Sequence, residues 1–157
     1  MAKVFEDILS DNLSDMISIG LEYADYKVEK VYIYASAEAR MRYIHCFFQN
    51  RGRVLNVAQL NDVLHSGEKK IDTSPDRQGQ LLKILFDDFR TILKACESYG
   101  REVPKEIRAE YDTRTRKFGS HLGYEDVWST RRMIGPDEIM EEWMAEEQRK
   151  LDLGMSQ

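Results

Sequence analysis

The sequence predicts a single α+β domain over residues 1–157: an antiparallel sheet of about five strands in two groups, packed against an N-terminal helix, a long central helix and a short C-terminal helix. Three observations carry that reading. Apolar residues recur at helical spacing in three separated segments. They alternate with period two in the stretches between those segments. Turn-forming residues punctuate nearly every change of period.

The first segment is amphipathic. Val4, Phe5, Ile8, Leu9, Leu13, Met16 and Ile17 share one side of a helix from Lys3 to about Ile19. Asp7, Asp11 and Asp15 form an acidic stripe on the other side, and Gly20 is the expected end. From Lys30 the period falls to two. Val31, Ile33 and Ala35 alternate with Tyr32, Tyr34 and Ser36, which predicts a strand; Ala37–Arg40 is the expected connection. Met41 to Gln49 predicts a second strand, Asn50–Gly52 a turn and Arg53 to Val57 a short third strand.

The adjacent pair His45–Cys46 is the stretch most like a reactive centre. On a strand, however, neighbouring side chains point to opposite faces, so the two cannot act on one atom. Cys46 belongs with Ile44 and Phe48 in the core, and His45 with Tyr43 and Phe47. Tyr32, Tyr34 and Tyr43 interleave with Arg42, Arg51 and Arg53. A cross-strand aromatic ladder beneath a helix explains that pattern better than a platform for nucleic-acid bases.

Residues 56–74 read as irregular, with two helical turns available to Val57–Leu64. Ser74 is a helix N-cap and Pro75 a first-turn residue. Leu81, Leu82, Leu85, Phe89, Ile92, Leu93 and Cys96 then give a long apolar stripe, closed at Tyr99–Gly100. Asp87 and Asp88 lie off that stripe, toward solvent. Ile107–Tyr111 and Phe118–Tyr124 predict a second strand pair, with Arg108, Glu110 and Asp112 on one strand face and glycines 119 and 123 weakening the last strand. Pro136 opens the final helix, with Ile139, Met140, Trp143, Met144 and Leu151 inward and Glu141, Glu142, Glu146 and Glu147 outward. A flexible tail is expected from about 153 to 157.

Charge narrows the function classes. Residues 1–26 carry six acids against one base and residues 122–157 nine against four, while 27–60 carry two against six. Two acidic ends around a mildly basic middle suit a basic protein partner and not a phosphate backbone. No apolar run approaches a membrane span, the N-terminus has no secretory pattern, and Cys46 and Cys96 lack disulfide or metal spacing. These features predict a cytoplasmic protein with free buried thiols, no membrane and no nucleic-acid partner. His45, His65 and His121 lie on separate elements, so no metal, cofactor or catalytic residue is assigned.

Several stretches resemble the YezG-like family of bacterial immunity proteins (antitoxins) of polymorphic toxin systems. They are "EKVYIYA" after an amphipathic helix, "LLKILFDDFR" in the long helix, "VPKEIRAEYDTRTRKF" as a hairpin and the closing "GYED…GPDEIMEEW". The chain departs from the pattern at Leu64–Asp76 and at the basic Thr130–Arg132. The resemblance implies an α+β domain that binds and neutralises a cognate toxin without catalysis, often a nuclease with a basic cleft. On that reading Glu125, Asp126, Trp128, Asp87 and Asp88 are the expected partner-binding residues, with Trp128 as an exposed anchor between acidic and basic neighbours. The alternatives are a small metal-dependent hydrolase using scattered carboxylates, and a regulatory homodimer (the chain otherwise being a monomer) joined at a sheet edge or at the Trp128 segment.

Overall fold

The structure is a computed structural model that describes residues 4–154. Helix α1 (Phe5–Tyr23) precedes a meander of β1 (Lys30–Glu38), β2 (Met41–Asn50) and β3 (Arg53–Leu55). A short 3-10 turn (Leu60–Val63) leads to α2 (Pro75–Ser98), the hairpin β4 (Glu106–Asp112) and β5 (Lys117–Gly123), and finally α3 (Pro136–Asp152). The α+β class and the three helices are as expected. The two strand groups form one antiparallel sheet of order β3-β2-β1-β4-β5, because β1 pairs with β2 on one side and β4 on the other.

Local chemistry sets most boundaries. Ser74 Oγ accepts the Arg77 N–H, so the predicted cap and proline start hold for α2. Glu138, three residues into α3, accepts the Gly135 N–H at 2.9 Å and closes that helix's start. The β1–β2 connection is shorter than expected: β1 runs on to Glu38, and only Ala39 and Arg40 turn, with φ of 50° and 63°. Arg51 and Gly52 (φ 51° and 80°) make the second two-residue turn. Paired left-handed residues match the right-handed twist of the flanking strands.

Gly20 does not end α1, which continues to Tyr23. Its bare Cα lets the helix approach β1, where an added Cβ would lie 2.9 Å from Val31 Cγ1. The expected start at Lys3 and the end of the expected tail, residues 155–157, lie outside the described residues. The loop over 56–74 is irregular but well tied. Asn61 holds the Ile71 backbone through both amide atoms, and Tyr23 donates its hydroxyl to Val57 O at 2.8 Å.

The sheet is packed on both faces. Val31, Ile33, Ala35, Ile44, Cys46, Phe48, Ile107 and Ala109 meet the apolar stripes of α1 and α2. Tyr32, Tyr34 and Phe47 meet Ile139, Met140 and Trp143 of α3. His45 and Cys46 therefore separate as alternation requires. Cys46 is fully buried, which pushes its thiol pKa up; burial lowers that of His45, whose Nδ1 accepts the Cys46 N–H. Both cysteines are free and buried. Among the described residues no helix is long and apolar enough to cross a membrane.

Candidate functional site

Helix α3 packs over the β1–β3 half of its face and leaves the β4–β5 half open. Alternation on β4 turns Glu106, Arg108, Glu110 and Asp112 toward this side, opposite Ser36, Tyr34, Tyr32 and Lys30 of β1. On β5 the corresponding positions are Lys117, Gly119, His121 and Gly123. The shared strand face expected for Arg108, Glu110 and Asp112 is thus present. Gly119, bare of a side chain, lies in the floor of a cleft of ≈ 360 Å³ walled by Trp143, Glu146, Glu147 and Lys150 of α3. A second hollow of ≈ 350 Å³ shares Glu110 and Gly119 and adds Lys30, Asp112 and Lys117.

An aromatic floor orients the charges. The Arg108 guanidinium lies 4.8 Å from the Trp143 ring centroid and 5.7 Å from that of Tyr34. Its Nε sits 3.3 Å from Glu106 Oε1, and Tyr34 donates its hydroxyl to Glu106 Oε2 at 2.8 Å. The Tyr32 hydroxyl lies 3.2 Å from Glu147 Oε1 and 3.3 Å from Gln49 Oε1. Lys150 Nζ reaches Glu147 Oε2 at 3.0 Å. Burial, then neighbouring carboxylates, push the Tyr32 and Tyr34 phenols far up, so both remain protonated donors. Burial likewise raises Glu110, helped by Glu147 and opposed by Lys30 and Lys150. A cation entering the cleft would relieve that carboxyl. Among the described residues, no three metal-ligating side chains cluster.

The five expected partner-binding residues divide. Glu125 and Asp126 border a hollow of ≈ 570 Å³ at the end of β5 together with Glu106 and His121, and Asp126 pairs with Lys105 at 2.7 Å. Asp87 and Asp88 sit on α2, across the sheet, where Asp87 pairs with Arg90. Two expectations need correction. Asp88 is half-buried and faces Asp15 of α1, because the helix pair closes over it. Trp128 is buried at 8% exposure, with its Nε1 donating to Ser36 Oγ at 3.0 Å. It anchors the linker to the sheet, so its ring offers no exposed contact.

Residues that the linear pattern did not reveal hold this region together. Glu38, only 2% exposed, accepts the backbone N–H groups of Val127, Trp128 and Ser129 at 2.8, 3.2 and 2.6 Å. Burial alone would raise its pKa; bonds from Ser129, Val127 and Trp128 outweigh that and lower it. Glu147, expected on the outer side of α3, is buried, because Tyr32 of β1 bonds it from 115 positions away. Tyr34 likewise bonds Glu106 from 72 positions away, and the nearby Lys150 and Arg108 gave no sign of either contact. No protein-family model matches the chain, and neither does any curated protein.

Proposed function

We propose that this chain is a non-catalytic binding protein, an immunity protein acting in the cytoplasm, that neutralises a cognate toxin by seating a basic segment in the cleft between β4–β5 and α3. The observation that carries this reading is the open half of a sheet face, with Gly119 in its floor and Glu110, Glu146 and Glu147 at its edge, where the bases Arg108 and Lys150 balance only part of the acidic charge. The network of Tyr34, Glu106, Arg108 and Trp143 pre-sets the surface, which keeps the ordering cost of association low. Glu125 and Asp126 extend the acidic rim toward the end of β5. The resemblance to YezG-like immunity proteins supplies the class of partner, a toxin such as a nuclease whose basic cleft an acidic surface complements.

The test is co-expression with the toxin-like product of the neighbouring reading frame. Wild type should protect growth and bind the isolated toxin domain. Glu110→Lys with Glu146→Lys should weaken binding at least ~10-fold, about the effect of reversing interface charges. Lack of protection by wild type overturns the toxin reading. Undiminished binding by the reversed variant removes the cleft as the seat.

A further inference from the structure

The two edges of the sheet are finished differently. At β3, Gln148 of α3 accepts the Val54 N–H at 2.7 Å and donates to Gly52 O at 3.1 Å, so side chains occupy that edge. At β5 the sheet ends on seven residues, Lys117–Gly123, and among the described residues no further strand or helix runs along it. This edge lacks the usual safeguards. It contains no proline, its one charge, Lys117, is its first residue, and its first five residues are exposed. Phe118 is 45% exposed, and Tyr124, just beyond the strand, 41%.

The charges flanking β5 indicate what covers it. The turn before the strand carries Arg114 and Arg116, followed by Lys117; the segment after it carries Glu125 and Asp126. All five are exposed. Within one copy Arg114 lies 3.7 Å from Asp112 and Asp126 pairs with Lys105 at 2.7 Å, contacts that a second copy's charges can extend or replace. Among the described residues Arg116, Lys117 and Glu125 make no such pair. A strand with a basic start and an acidic end is complementary to itself when it runs antiparallel to a second copy. The base-rich turn of each copy then lies beside the acidic end of the other, twice, as a two-fold axis demands.

We infer that the β5 edge is a homodimer interface, at which two copies pair antiparallel about Ser120 to make one continuous ten-stranded sheet, twice the five of each copy. That register sets Phe118 of one copy opposite Leu122 of the other, an apolar cross-strand pair on the α1 side of the sheet. It sets Gly119 opposite His121 on the cleft side, leaving both clefts open along a common face. An edge pairing of this length buries less than a standard interface of ~1,600 Å², which makes the dimer a weak, concentration-dependent one. The inference is independent of the toxin reading, since no toxin enters its test.

Sedimentation of the full chain over ~1–200 μM decides it. Wild type should shift from monomer to dimer, less readily as salt screens the flanking charges. Arg114→Glu with Arg116→Glu should stay monomeric, because acid then meets acid at both ends. Glu125→Lys with Asp126→Lys should do the same. An equimolar mixture of these two variants should restore a dimer, since each now complements the other; this recovery also shows that both are folded. A wild type that remains monomeric throughout overturns the inference, as does dimerisation of either reversed variant at wild-type strength.

Discussion

Ser129 donates its backbone N–H to the Glu38 carboxylate at 2.6 Å, across 91 positions of sequence. Val127 and Trp128 do the same, so one buried carboxylate fixes the start of the linker between β5 and α3. Glu38→Gln keeps the shape and removes the charge. It should cost about 1–3 kcal/mol in urea unfolding, the range for a charged hydrogen-bond acceptor. Because folding lowers the Glu38 pKa, its contribution is present above the ordinary carboxylate value and fades as pH falls through the folded one. The variant should therefore show a flatter acid limb; an unchanged acid limb would mean that Glu38 does not hold the linker.

Asp88 behaves with the opposite sign. Burial, followed by the Asp15 carboxyl as bonding partner and as charge, then by Asp87, pushes it up to about 8. Its Oδ2 is buried without a hydrogen-bond partner. Protonation of Asp88 stabilises the fold fully below the unfolded value of 3.8. That stability declines as pH rises and is lost by about pH 8. With Asp15 exposed and screened, the loss should be roughly 1–2 kcal/mol. Asp88→Asn should abolish this slope and stabilise the protein at alkaline pH, measured as urea midpoints on either side of neutrality. A slope unchanged in the variant would show that Asp88 is not the group whose titration is linked to folding.

Gly20→Ala sets two effects against each other. Helix propensity favours alanine by about 1 kcal/mol. The new Cβ would lie 2.9 Å from Val31 Cγ1, in a core where overpacking costs about 1–3 kcal/mol. Net destabilisation is expected by thermal unfolding. A stabilised variant would show that α1 can move away from β1 freely.

Trp143 meets Tyr32 and Phe47 edge-on, at 5.4 and 5.0 Å between centroids. Trp143→Ala should cost about 3–5 kcal/mol and release α3 to limited proteolysis before the rest of the domain. Simultaneous loss of all elements would show that α3 has no separate stability.

Much of this was legible from local pattern. Alternation placed Tyr32 and Tyr34 opposite Val31 and Ile33, and it separated His45 from Cys46. Ser74–Pro75 marked the start of α2, because cap and proline act within one turn. Trp128 was misjudged because polar and charged neighbours suggest a surface ring, whereas its partner Ser36 lies 92 positions away. Asp88 was misjudged because helical periodicity assigns a residue to a face of its own helix and says nothing of the neighbour packed there.

The sequence by itself determined the α+β class, the three helices, the strand faces and the charge division along the chain. These depend on side-chain period and on contacts within a few residues. Tertiary structure alone decided that β1 sits at the centre, that α3 covers only part of one face, that Glu38 is a linker anchor, and that among the described residues β5 is left as an uncovered edge. Each of those requires groups far apart in the chain to meet, and burial and hydrogen bonding select that meeting only when the whole sheet is assembled.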